Sequence, residues 1–111
     1  MKRILTSLFA AILLAVSLPA QAGYDVTAKV INIEPSYMPD MLLFKLDAAI
    51  GTCAVGEWVY YSGTYYSPTD PKKNTQAAYA GLLLALASGK KVEVHAEAAG
   101  CTVVNIHPTN Q

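Results

Sequence analysis

The sequence predicts a mainly β domain whose elements run β-β-β-α-β-β behind a leader peptide. Five short stretches have strand character, most with two-residue apolar alternation. One uncharged stretch between the third and fourth of these has helical periodicity instead. Two cysteines, Cys53 and Cys101, are placed to cross-link the domain.

Residues 1–22 read as a signal peptide. Met1, Lys2 and Arg3 form a basic start, and residues 4–18 are apolar apart from Thr6, Ser7 and Ser17. Pro19 breaks the run, and Ala20-Gln21-Ala22 is the small-x-small pattern behind which signal peptidase cuts. The run falls short of the ~20 residues of a membrane span, and no cysteine follows it to carry a lipid. The expected working domain is residues 23–111, exported to the periplasm or secreted, with no membrane span in the mature chain. Its small core calls for a covalent or oligomeric staple. Without Lys2 and Arg3, six lysines face eight carboxylates, a net charge of −2 with no arginine left. That balance argues against nucleic acid as a partner, which demands a basic, arginine-rich face. An even cysteine count in an exported chain predicts a Cys53–Cys101 disulfide. A metal-bound or reactive thiol pair would need shorter ligand spacing.

In the first strand, residues 24–33, Tyr24, Val26, Ala28 and Val30 share one face and Asp25, Thr27 and Lys29 the other. Ile31 and Ile33 then fall out of phase. A bulge near Val30 and Ile31 would return them to the core and bend the strand. Residues 34–40 turn, with Pro35 and Pro39. The second strand, residues 41–47, points Leu42, Phe44 and Leu46 one way. Residues 51–56 connect it to the third, residues 57–62, where Trp58 and Tyr60 share one face and Val59 and Tyr61 the other. Residues 63–73 form a loop holding Tyr65 and Tyr66.

Asn74 or Thr75 caps a helix from about Thr75 to Ser88. Gly89 stops it as a left-handed terminator, and Lys90 and Lys91 suit its negative end. The fourth strand, residues 92–96, turns Val92, Val94 and Ala96 inward. The fifth, residues 102–106, ends near Pro108. Three strands, a helix and two strands with local antiparallel pairing describe the five-stranded oligonucleotide/oligosaccharide-binding (OB-fold) barrel. Its bent first strand serves both halves, and the disulfide would tie the connection after strand two to the start of strand five.

The helix carries the first functional signal. Tyr79, Leu82, Leu83 and Leu86 form one stripe, expected to cover the open end of the barrel. Ala77, Ala80, Gly81, Leu84, Ala85 and Ser88 make the other face small or apolar as well. A helix apolar all round is buried on both sides, so Ala77, Ala80, Gly81, Leu84 and Ser88 are expected at a homo-oligomer interface. The aromatic group is the second signal. Core packing is the first expectation for Trp58 and Tyr60, while Tyr65 and Tyr66 suit a surface loop. Trp58, Tyr61, Tyr65 and Tyr66 are the candidate ligand contacts, by ring stacking and hydroxyl hydrogen bonds. His95 lies between Glu93 and Glu97, where a solvated strand face is expected before a metal site. No Gly-x-Ser-x-Gly elbow, His-Glu-x-x-His pair or phosphate loop is present. The expectation is therefore no enzyme, no catalytic residue, no cofactor and no metal.

Residues 78–94 carry the helix, then Ser88-Gly89-Lys90, then Val92-Glu93-Val94, with Gly100-Cys101 beyond them. This pattern resembles a family of small exported bacterial proteins with a helix, Ser-Gly-Lys, a Val-x-Val strand and a cysteine. It is similar also to the binding subunit of subtilase cytotoxin. The likeness covers the last third by motif and the rest by strand order and cysteine placement. It implies an OB-fold barrel, glycan recognition without catalysis and, in toxins, a ring of five copies whose helices line the centre. The expected function is an exported, non-catalytic module that recognises glycan or protein as a ring-shaped homo-oligomer. The alternative is a monomeric periplasmic protein-binding or inhibitory domain.

Overall fold

The computed structural model describes residues 24–64 and 68–111. The leader expected at residues 1–22 lies outside them, as do Tyr65 and Tyr66. The elements are β1 (Tyr24–Glu34), β2 (Leu42–Leu46), β3 (Val59–Tyr61), α1 (Pro71–Ser88), β4 (Lys91–Ala96) and β5 (Asn105–Pro108). The strands form one antiparallel sheet in the order β3-β2-β1-β4-β5.

β1 is long enough to serve two neighbours. Residues 24–29 pair with β4, and residues 30–34 pair with β2. The partner changes at a bulge: Val30 opposes Leu46 and Asn32 opposes Lys45, leaving Ile31 as the extra residue. The bulge sits where the slipped alternation places it, but it recovers only one isoleucine. Ile33 packs against the core, whereas Ile31 is 50% exposed. The extra residue of a bulge takes no partner, and only the residues after it are shifted in phase.

The inward positions of the sheet close into one core. Ala28, Val30, Leu42, Phe44, Leu46, Val59, Val92, Val94 and Ala96 are all buried. The far ends of the sheet also meet. Tyr60 and Thr102 form a parallel bridge, in which the Tyr60 N–H donates to the Cys101 carbonyl (3.0 Å) and the Val103 N–H to the Tyr60 carbonyl (2.9 Å). Residues 102 and 103 are therefore held by β3, and pairing with β4 begins only at Asn105, opposite His95. That is why the fifth strand starts later than its composition suggests. The Cys53–Cys101 disulfide sits beside the bridge, with Cα atoms 4.9 Å apart.

The helix begins a turn earlier than the capping residues predict. Pro71 occupies the first turn, where it has no N–H to waste, and Asp70 is the residue before it. Asn74 and Thr75 lie inside the helix. Thr75 is fully buried, and its hydroxyl shares one proton between the carbonyls of Ser62 (3.0 Å) and Pro71 (2.9 Å). Gly89 ends the helix at φ 72°, its N–H donating to the Ala85 carbonyl (2.9 Å). The buried face is also rotated from the expected stripe. Thr75, Leu82 and Ala85 are buried with Ala78 and Tyr79 packed beside them, while Leu83 and Leu86 stay exposed. Close packing selects the small residues: a Cβ added at Gly81 would lie 3.2 Å from Pro108 Cγ. No helix among the described residues is long and apolar enough to cross a membrane.

The disulfide closes a span of 48 residues, worth about 4 kcal/mol by chain-entropy reasoning. The Cys53→Ala/Cys101→Ala protein is expected to show a markedly lower urea midpoint than the oxidised protein. Equal midpoints would show that the bridge contributes nothing to stability.

Candidate functional site

The pairing of β2 with β3 decides which aromatic side chains reach solvent. Phe44 opposes Val59 and Leu42 opposes Tyr61, so all four turn inward together. Leu43 opposes Tyr60, which sends Tyr60 and its i−2 neighbour Trp58 outward. Each of these two is 39% exposed, against 8% for Tyr61. The structure thus reverses the expectation that Trp58 and Tyr60 serve the core. Lys45, on the same outer face of β2, holds its Nζ 4.5 Å from the Trp58 ring centroid, a cation–π contact that fixes the ring. Leu43, Lys45, Trp58 and Tyr60 make one patch, continued onto β1 by Asn32 opposite Lys45 and Glu34 opposite Leu43. The patch offers flat apolar rings, a phenol hydroxyl and an ammonium group. Of the four candidate contacts, Trp58 belongs to this patch, Tyr61 lies on the opposite side of β3, and Tyr65 and Tyr66 are outside the described residues.

A second surface lies on α1. Ala77, Ala80, Leu84 and Ser88 are exposed and Gly81 is half-buried. Leu83 and Leu86 join Leu84, which is 63% exposed. Ala85, expected on this side, is buried against the sheet instead. No charged residue occurs from Asn74 to Ser88.

His95 projects from β4 opposite Asp25 of β1. Its Nδ1 is hydrogen-bonded to Asp25 Oδ1 (2.8 Å) and its Nε2 to the Glu97 carboxylate. The Glu97 hydrogen bond, and after it the Asp25 hydrogen bond, raise the His95 pKa. Glu93, its expected neighbour, instead opposes Thr27 and His107. When protonated, His95 donates from both ring nitrogens and is a charged clamp between β1 and β4. Asp25 could not be found from the sequence, since it lies 70 positions from His95. Cys53, Glu57 and Cys101 bring their ligand-type atoms within 4.8 Å of one another. Both sulfurs are spent in the disulfide, however, and Glu57 accepts the Ala54 N–H (2.8 Å).

No protein-family model, curated protein or solved structure matches the chain.

Because His95 titrates higher in the folded state than in the unfolded one, where its pKa is about 6.5, the clamp stabilises fully below that value while both carboxylates stay ionised. The contribution is lost as pH rises through the raised folded value. Urea titrations of the native protein and His95→Gln are expected to differ most on the acid side of neutrality and to converge in mild alkali. A gap that is constant with pH would overturn this.

Proposed function

We propose that the chain is an exported, non-catalytic binding module of the OB type, and that the outer face of β2 and β3 is its ligand surface. Four features support the barrel reading: β1 at the centre of the strand order, one helix between β3 and β4, the β1 bulge, and the parallel bridge from Tyr60 to Thr102. Barrels of this type bind oligosaccharides and oligonucleotides on the face of strands two and three. The observation that carries the proposal is the exposed pair Trp58 and Tyr60, with Lys45 holding the indole. Two rings one pleat apart on a strand are spaced for successive rings of a glycan. The arginine-free, net acidic domain disfavours a polyphosphate ligand. The resemblance read in the motifs of residues 78–101 would imply glycan recognition as well. Export is read from residues 1–22 and agrees with a disulfide-stapled domain.

Trp58 is the only tryptophan in the chain, so its fluorescence reports directly on this face. Glycans retained on a broad array are expected to perturb that emission, and Trp58→Ala or Tyr60→Ala to weaken binding at least tenfold. Both substitutions should leave stability within about 0.5 kcal/mol, as surface changes do. An array with no glycan bound would sink the glycan reading.

The exposed leucines of α1 favour a second element of the proposal, that copies of the chain assemble through this helix into a homo-oligomer. Light scattering behind a sizing column is expected to give a multiple of the protomer mass, reduced to one protomer by Leu84→Glu. A native monomer would remove the assembly and favour a monomeric domain that docks the same helix on a different protein.

A further inference from the structure

Between α1 and the last strand lies a cleft of about 300 Å³, at the lower limit of small-molecule sites. Asn74, Ala77 and Gly81 line it from the helix, Asn105 and Pro108 from β5, and Tyr61 from β3. Small residues on the helix keep it open, and no charged residue lines it.

Its polar groups are neutral and incompletely used. Asn74 spends its Nδ2–H₂ on the Gly63 carbonyl (3.3 Å), leaving Oδ1 as an acceptor. Asn105 pairs with His95 and bonds His107, so its side chain lies on the outer face of β5 and its backbone edges the cleft. Tyr61 is decisive. It is more than nine-tenths buried, yet its hydroxyl meets no hydrogen-bond partner among the described residues. Buried polar groups are nearly always paired, and each exception asks for a cause. Burial also pushes the phenol pKa up, so the group stays a neutral hydroxyl able both to donate and to accept.

We propose that this cleft binds a small, uncharged, hydroxyl-bearing ligand, a single sugar ring, with the Tyr61 hydroxyl as its buried hydrogen-bonding contact. The volume admits one ring, and the Asn74 amide oxygen supplies an acceptor at the rim. The absence of charge in the lining disfavours ions, and the apolar Ala77, Gly81 and Pro108 suit the C–H faces of a sugar. The site is separate from the β2–β3 face, because Tyr61 points to the opposite side of its strand from Trp58 and Tyr60.

The test is a ¹H–¹⁵N NMR titration of the oxidised protein with the methyl glycosides of glucose, galactose, mannose and N-acetylglucosamine. At least one is expected to shift the Asn74 side-chain amide and the Gly81 and Asn105 backbone amides, equally in the native protein and in Trp58→Ala. Tyr61→Phe, which removes only the hydroxyl, should weaken that binding about tenfold while the thermal midpoint stays the same or rises. A lower midpoint would mean that the hydroxyl serves the fold, and unchanged affinity that it does not touch the ligand; either overturns the proposal. So does the absence of cleft shifts with every glycoside, or their loss in Trp58→Ala. With binding established, a disaccharide glycoside giving the same shifts makes the ligand the terminal ring of a glycan. One that is excluded makes it a free monosaccharide.

Discussion

The structure hangs on the bulge at Ile31. β1, of 11 residues, passes from β4 to β2 at this point, and the extra residue bends the strand there. On one side of it β1 holds β4, and through β4 also β5; on the other it holds β2, and through β2 also β3. The inward faces of the two halves then converge on one core, with Val30 and Phe44 from one half and Val92 and Val94 from the other. Without the phase change, Ile33 would turn outward and residues 42–46 would pair in a register that exposes Leu42 and Phe44. The bend also brings β3 and residues 101–103 together, close enough for Tyr60 to bridge Thr102 and for Cys53 to reach Cys101. The disulfide therefore secures a closure that the strand geometry makes possible. It joins the two segments that are farthest apart in the strand order.

Legibility in the sequence depends on how much contrast each segment carries. β2 and β4 alternate apolar with polar residues, so Leu42, Phe44, Leu46, Val92, Val94 and Ala96 could be placed inward at once. The bulge was legible for the same reason, as a visible slip from Val30 to Ile31. β3 offers no such contrast: Trp58, Val59, Tyr60 and Tyr61 are all apolar or aromatic, and only pairing with Phe44 and Leu42 decides their faces. The helix fails likewise. With small or apolar residues on every side, its periodicity fits several stripes, and the approach of Gly81 to Pro108 selects the one that faces inward. Its start was hidden because Pro71, Lys72 and Lys73 look like a loop, although proline is at home in a first turn. The partners of His95, and the lack of a partner for the Tyr61 hydroxyl among the described residues, are properties of tertiary contact, and no local spacing announces them.

Three aromatic residues in or just before β3 carry much of the chemistry that this domain presents. Tyr60 faces out beside Trp58 and also bridges to Thr102, while Tyr61 faces in toward the cleft. The chain just beyond β3 is tightly held. Gly63 has φ 74°, and a Cβ there would lie 2.5 Å from the Pro71 carbonyl oxygen; a side chain is excluded both by conformation and by space. That contact seats the end of β3 directly on the first turn of α1. Thr75 and Asn74 add hydrogen bonds to the carbonyls of Ser62 and Gly63. The helix is therefore docked at its N-terminal end through the backbone, by groups that do not depend on apolar burial. This frees its outer face from a role in folding. Leu83, Leu84 and Leu86 are exposed and contribute little to the core. The assembly proposed above would cover this exposed apolar run.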